Sequence, residues 1–566
     1  MSRGNSELDR LRAGRTELEN HYIDELASGN LSRRDFLRHG SMIGMSTTLL
    51  GAVLAACGSS SKTTGTGAAG TTSTSSAPVT KGGTLRIGAV APAAAVNPLS
   101  VSDAGGLLML NQTGEFLIFD SNLKLELQPM LALSWKPNAD GSVWTFTLRP
   151  NVTFHGGAPM TADDVVYTFQ QLSDPKNASN ALSAFTGVLT PSGVKKVDAM
   201  TVEFHLEAPN GNFPYLVSSD NYNAIIVPNG TDFSKWQSTF IGTGAFILGK
   251  YTQNVGASFV PNPNYWGAKP LLASTTFNFY MSQQPMILAL QGNSVDVIAQ
   301  FTPSGAAAIL NSPSYKIISL KSANHRELSM RNDIAPFTDA RVRQAVAYTL
   351  DRPGAVAALL SGKGSVANDY PFGPRFPSTD PTVPQRTQNI AMAKQLLAQA
   401  GHPNGFSTTL KTEQYQEIPQ LAQVIVEDAA KAGIKITADV ETQTLYYGKA
   451  TYGNSDWLDG AMSLVDYGDR GVPNVYLAAP LTSSGPWNAA RFKNTQYDTL
   501  VKQYVAALDL STQRQIAGKI QRLLLAETPI VYPYWIDGLT ASTPNVGGLN
   551  PTSIAQLYLN TAYKSA

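Results

Sequence analysis

The run Phe154-His155-Gly156-Gly157-Ala158-Pro159-Met160-Thr161-Ala162-Asp163-Asp164-Val165-Val166-Tyr167-Thr168-Phe169 opens as a glycine-rich turn and closes as a helix. Thr161 stands where its hydroxyl can accept from a free amide of the first helical turn, and Asp164, three residues on, can reach back to the Thr161 amide. Val165, Phe169 and Leu172 then share one helical face, which predicts an amphipathic helix laid on a core. His155 invites a metal or catalytic reading, but no second histidine or cysteine lies at ligand spacing, so a structural role in the turn is the reading adopted.

Upstream, Asp140-Gly141 separates Leu131-Ala132-Leu133-Ser134-Trp135 from the β-rich Val143, Trp144, Phe146 and Leu148, which predicts a hairpin. Further back, Gly82-Gly83-Thr84-Leu85-Arg86-Ile87-Gly88-Ala89-Val90 alternates like an opening strand, broken at Asn97-Pro98. Downstream, Thr338 or Asp339 can cap a helix carrying Val342, Ala345, Val346, Thr349 and Leu350, with Pro353 near its end. A second helix over 389–400 buries Ile390, Ala393, Leu396 and Leu397 and stops at Gly401, and 434–440 reads as the strand after it. Near the C-terminus Ser511 is placed as the cap of a helix bearing Ile516, Ile520, Leu523 and Leu524, followed by a strand over 530–535. Strands and helices alternate, which points to α/β lobes rather than a helical bundle.

These segments, with Gly242-Thr243-Gly244-Ala245-Phe246, Asn262-Pro263-Asn264-Tyr265-Trp266, Met330-Arg331-Asn332, Pro336-Phe337-Thr338-Asp339-Ala340-Arg341-Val342 and Asp351-Arg352, together resemble the solute-binding proteins that serve peptide importers of the ATP-binding-cassette (ABC) type. Their order and spacing cover nearly the whole chain after the N-terminal region. The resemblance implies a two-lobed, periplasmic-binding-protein-like α/β fold of the large peptide-binding type II subclass. The expected boundaries are a discontinuous first lobe over 83–329 and 528–566, with an extra subdomain over about 123–227, and a second lobe over 330–527.

The N-terminal region reads as an address. Ser32-Arg33-Arg34-Asp35-Phe36-Leu37-Arg38 sets a twin-arginine pair before an apolar run over 42–56 that ends Leu54-Ala55-Ala56-Cys57. That run is shorter than the about 20 residues a spanning helix needs, so it reads as the core of an export signal. Cys57 is the chain's one cysteine and stands where a lipid can be attached. Residues 1–56 are therefore expected to be a twin-arginine lipoprotein signal peptide. Residues 57–82, rich in Ser, Thr and Gly, are expected to be a flexible tether. The protein would work outside the cytoplasm, anchored by lipid to the outer face of the cytoplasmic membrane.

The ligand is expected at the stretch Asp456-Trp457-Leu458-Asp459-Gly460-Ala461-Met462-Ser463-Leu464-Val465-Asp466-Tyr467-Gly468-Asp469-Arg470. Asp456, Asp459 and Asp469 read as solvated turn residues. Asp466 differs, because apolar Met462-Ser463-Leu464-Val465 would run as a buried strand and deliver it at the end, where a carboxylate needs a cation or donors. The competing structural reading is an ion pair with Arg470. In the resembled family the aspartate of the matching loop holds the amine of a peptide, which assigns that role to Asp466, with Tyr467 beside it. Family members often have tryptophan where Ser463 stands and proline where Arg470 stands, so Trp487 is a candidate replacement for the lost aromatic wall, with a core role as its alternative, and Trp457 and Trp487 are the aromatics on which a sugar would stack. Tyr446 and Tyr447 are further candidates.

Charge balance is even, 42 Lys+Arg against 41 Asp+Glu, which argues against a nucleic-acid partner. There is no G-x-S-x-G elbow and no H-E-x-x-H helix, so a hydrolase is disfavoured. No cofactor and no resident metal are expected. The expected partners are a peptide or other small solute, with oligosaccharide and nickel chelate as alternatives, and an ABC permease with its ATPase. A monomer is expected from the resemblance.

Overall fold

The computed structural model describes residues 82–120 and 126–565, with four isolated positions before them, Ile23, Leu26, Phe36 and Val53. Arg33, Arg34, Cys57 and the tether as far as Lys81 lie outside the described residues. Among the described residues no helix is long and apolar enough to cross a membrane.

One twelve-stranded sheet runs through two lobes. On one side Thr84–Val90 lies between Ser274–Tyr280 and Val297–Phe301, parallel to both. On the other, Ser407–Glu413 lies between Lys435–Glu441 and Met462–Tyr467, again parallel to both. The two parallel blocks are joined by the antiparallel pair of Lys316–Met330 and Tyr534–Ser542, whose register shifts between Leu320 and Asn324. Tyr534–Ser542 continues onto Val297–Phe301, and Lys316–Met330 onto Met462–Tyr467. An irregularity of this kind bends a strand locally, and here it falls in the strand pair that joins the two parallel blocks.

Several hydrophobic cores flank the sheet. One spans Leu85 to Ala299 and takes in Val472 and, from the C-terminal segment, Val546, Ala555, Leu557, Leu559 and Ala562. Two others are built from later residues, one around Tyr446, Tyr476, Tyr497 and Tyr532, the other around Val346, Leu421 and Leu464. A separate four-stranded antiparallel sheet, Ala132–Pro137, Val143–Leu148, Thr201–His205 and Val194–Asp198, adjoins the first lobe's core.

Local readings hold where the signal is local. Ala132–Pro137 and Val143–Leu148 form the hairpin about Asp140-Gly141. Helix Ala162–Ser173 has the full capping box, Thr161 accepting from the Asp163 amide and Asp164 accepting from the Thr161 amide, with Val165, Phe169 and Leu172 buried. His155 sits in its turn with Nε2 3.0 Å from the Gly244 carbonyl oxygen, and burial lowers its pKa. Asp339 caps Ala340–Thr349 and Asn389 caps Ile390–Gln399.

Three expectations are corrected. Pro353 does not close the helix before it but opens the next one, Arg352–Leu360, behind the Asp351 cap, because a proline costs nothing in a first turn whose amides have no helical partner. Asp509, not Ser511, caps Leu510–Glu527, its carboxylate accepting from the Thr512 amide. The strand over 530–535 is two strands, Ile530–Val531 and Tyr534–Ser542, since Pro533 between them has no amide for the ladder.

Buried Glu115 ties the two glycine- and asparagine-rich motifs of the first lobe together. Its carboxylate accepts from Thr243 Oγ1, Tyr265 Oη and Trp266 Nε1, each at 2.8 Å. A side chain at Gly242 would lie 2.1 Å from the Thr113 carbonyl oxygen, so glycine there lets the loop reach Glu115. Burial pushes the Glu115 carboxyl up to about 7, against the opposing effect of its three donors. A raised carboxyl pKa contributes stability below the unfolded value near 4.5, and this is lost as pH rises through 7, an effect of roughly 3 kcal/mol. Glu115→Gln keeps an acceptor for Trp266, and the Tyr265 hydroxyl can turn to accept from the amide. Urea unfolding at pH 5 and pH 8 is expected to show that the wild type loses more stability over this range than Glu115→Gln does.

Candidate functional site

A cleft of about 830 Å³ opens beside the crossing strands, bordered by Gln283, Gln300 and Thr302 from one side and by Arg326, Asp466 and Arg470 from the other. Asp466 is the half-buried position of the otherwise buried strand Met462–Tyr467. It lies opposite Arg326 in the antiparallel register. Cross-strand neighbours of opposite charge would ordinarily pair, but the Arg326 guanidinium is already held. Its Nε donates to Glu417 Oε1 at 2.9 Å, and its Nη2 donates to Glu417 Oε2 at 3.1 Å and to Gln416 Oε1 at 2.8 Å. Asp466 instead meets another acid. The Tyr447 hydroxyl lies 2.8 Å from Glu413 Oε1 and 3.1 Å from Asp466 Oδ1. Glu413 is buried, and burial and the neighbouring Asp466 charge raise its pKa.

The resulting Glu413–Asp466 pair makes no ion pair with a lysine or arginine among the described residues, and one of its members borders the cleft. A cation at Asp466 would offset the negative charge of this pair, and a primary ammonium offers three donors. The ion pair of Asp466 with Arg470, the competing structural reading, is not formed. Arg470 Nη1 donates to the Asp469 carbonyl oxygen at 2.9 Å.

Asp469 is a correction. It is buried rather than solvated, accepting from Arg375 Nη1 at 2.7 Å and from the Ala323 amide at 2.9 Å. Arg375 Nη2 also reaches Asp120 at 2.9 Å and Asp220 at 3.1 Å. One buried guanidinium thus gathers three carboxylates, two from the first lobe's segments and one from the loop after Asp466. Gly471 is required beside it, since a Cβ there would lie 1.9 Å from Asp220 Oδ2. Asp456 and Asp459 are partly exposed, paired with Lys411 and Arg491 respectively.

The other candidate residues gather on the opposite face of the strand. Alternation turns Tyr467 away from Asp466, and its ring stacks on His325 with centroids 5.5 Å apart. Trp487 lies 6.2 Å from Tyr467 and 6.4 Å from Trp457, and Trp457 lies 5.4 Å from Tyr447. Tyr467, Trp457 and Trp487 are not among the residues bordering the cleft; they reach the site through Tyr447, whose hydroxyl touches Asp466. Tyr446 is buried and donates to the Leu464 carbonyl. Sequence reasoning missed Glu413, Arg326, Glu417 and Arg375. Glu413 ends the strand Ser407–Glu413 beside the Asp466 strand, and since the sequence reading does not include that strand, its terminal acid carries no signal. Among the described residues no group of three or more His, Cys, Asp or Glu is arranged to hold a metal.

Residues 126–489 match the family model described as bacterial extracellular solute-binding proteins, family 5 Middle. The Heme-binding protein A of Haemophilus influenzae is 27% identical over 456 residues, covering 75% of this chain and 81% of that protein. The periplasmic murein peptide-binding protein MppA of Escherichia coli is 27% identical over 465 residues, covering 75% of this chain and 85% of that protein. Among solved structures, HbpA2 from Haemophilus parasuis superposes with a TM-score of 0.75 at 23% identity, covering 86% of this chain and 100% of that one.

Proposed function

The chain belongs to the bacterial extracellular solute-binding proteins of family 5, and from that membership we propose that its cleft captures peptides by their free amine and presents them to an ABC permease. The observation that carries the reading is the Glu413–Asp466 pair, bridged by Tyr447 and making no ion pair with a lysine or arginine among the described residues. A peptide ammonium supplies the missing charge and donors, while main-chain groups bond to the polar cleft walls and leave side chains free to vary. A relative named for murein peptide agrees with it. Haem, for which another relative is named, carries carboxylates but no amine, and an anionic pair repels it.

In this reading residues 83–329 with 528–566 close against 330–527, bending at the irregular register of the crossing strands. Closure follows when the ligand contacts both walls and so favours the closed state. Cys57 carries the lipid anchor after export directed by Arg33 and Arg34.

Calorimetric titration of the full chain carrying Cys57→Ser with Ala-Ala-Ala and with its N-acetyl form tests the proposal. Acetylation is expected to weaken binding at least tenfold. Equal affinity for the two forms, or binding of neither, would overturn it.

A further inference from the structure

We propose that Arg470 receives a carboxylate of the bound ligand, so that the cleft selects short peptides that carry a negative charge a few residues from the amine; this rests on the amine being held at Asp466. Two arginines border the cleft, Arg326 and Arg470. Arg326 is committed to an ion pair with Glu417, with Gln416 and the His325 carbonyl oxygen accepting from its other nitrogens. Arg470 makes one hydrogen bond among the described residues, from Nη1 to the carbonyl oxygen of its own neighbour Asp469, and no carboxylate there forms an ion pair with it. Its Nε and Nη2 remain as two parallel donors, the fork that matches a carboxylate.

The acids that border the cleft are equally unequal. Asp469 is committed to Arg375, and Asp537 to Lys321 and Ser319. Asp466, with Glu413 behind it, makes no ion pair with a lysine or arginine among the described residues, although it faces Arg326 across the sheet. The cleft therefore presents one uncommitted anionic site and one uncommitted guanidinium, on the same wall and four residues apart. The position of Arg470 is fixed from below: Asp469 is pinned by Arg375 and the Ala323 amide, and Gly471 is pressed against Asp220. Where the family pattern has a proline, this chain has placed a cation on a rigid loop.

The spacing bounds the ligand. Four Cα steps span at most about 14 Å, and an extended peptide advances about 3.4 Å per residue. An amine at Asp466 and a carboxylate at Arg470 fit two to four residues; a longer peptide would have to bring an acidic side chain, rather than its C-terminus, to the guanidinium.

Binding of Ala-Ala-Ala, Ala-Ala-Ala amide and Ala-Glu-Ala amide to the full chain carrying Cys57→Ser, with and without Arg470→Gln, tests the assignment. Amidation of Ala-Ala-Ala is expected to weaken binding by about tenfold to a hundredfold in the unsubstituted chain and by little in Arg470→Gln, whose melting temperature serves as the folding control. If Ala-Glu-Ala amide regains the loss only when Arg470 is present, the carboxylate is accepted from a side chain as well as from the terminus. If amidation costs the same with and without Arg470, or costs nothing, the assignment falls while amine capture stands. If none of the three peptides binds, both fall.

Discussion

Asp466→Asn is expected to weaken binding of a free-amine peptide by about 2 kcal/mol or more, roughly thirtyfold, while leaving the melting temperature of the empty protein unchanged or slightly higher. Removing one partner of a desolvated, hydrogen-bonded charge pair costs about 2–5 kcal/mol. The lower end suits Asp466, because it is half-buried and Glu413 remains behind it. Asparagine keeps the Oδ1 acceptor that faces the Tyr447 hydroxyl at 3.1 Å, so packing is preserved. In the empty protein the substitution removes a like-charge contact, since Asp466 is among the causes that raise the Glu413 pKa. Binding and stability thus move apart, as expected where a site stores unfavourable charge for a ligand. Calorimetry and a thermal melt on the same sample check both. A fall in stability with unchanged affinity would mark Asp466 as a structural residue.

Arg375→Met is the substitution expected to damage the fold most, by about 3–5 kcal/mol, the usual cost of leaving buried charges without their partner. It removes the shared cation of Asp120, Asp220 and Asp469, which the wild type holds at 2.9, 3.1 and 2.7 Å from one guanidinium. Burial, followed by the Asp120 charge, already pushes the Asp220 carboxyl well above the usual carboxylate range with Arg375 present. Without Arg375 the Asp220 carboxyl favours protonation further, so the variant is expected to recover part of its stability as pH falls from 7 toward 5. Urea midpoints over this range check the sign; a loss that does not depend on pH would mean that packing, not charge, dominates the site.

What was legible in the sequence follows the range of the interactions. The Thr161 and Asp164 capping box, the hairpin at Asp140-Gly141 and the helix over 389–400, observed at Ile390–Gln399, are decided within a few residues and appear as read. Asp466 was legible because an apolar strand ending in a carboxylate states a local conflict. Pro353 and Ser511 misled because each has a competing place in a neighbouring first turn, behind Asp351 and Asp509 respectively. Asp469 misled more seriously: its sequence neighbours are glycine and arginine, which suggest a turn, while its partners Ala323 and Arg375 are distant in the chain. The Arg326 register opposite Asp466 and the capture of Arg326 by Glu417 are likewise set by sheet order, which no local pattern encodes. That is why the sequence pointed to an acid in a cleft but not to its companion Glu413.

The measurement that bears most directly on the central claim is a thermal melt of the full chain carrying Cys57→Ser against free tripeptides, haemin, nickel with histidine, and oligosaccharides. A ligand that binds only the folded state stabilises it by about 2.7 kcal/mol at a hundredfold excess over its dissociation constant. Capture of peptides by their amine predicts a rise of a few degrees with free tripeptides that disappears on N-acetylation. A rise with haemin, nickel–histidine or oligosaccharide and none with any peptide would contradict it.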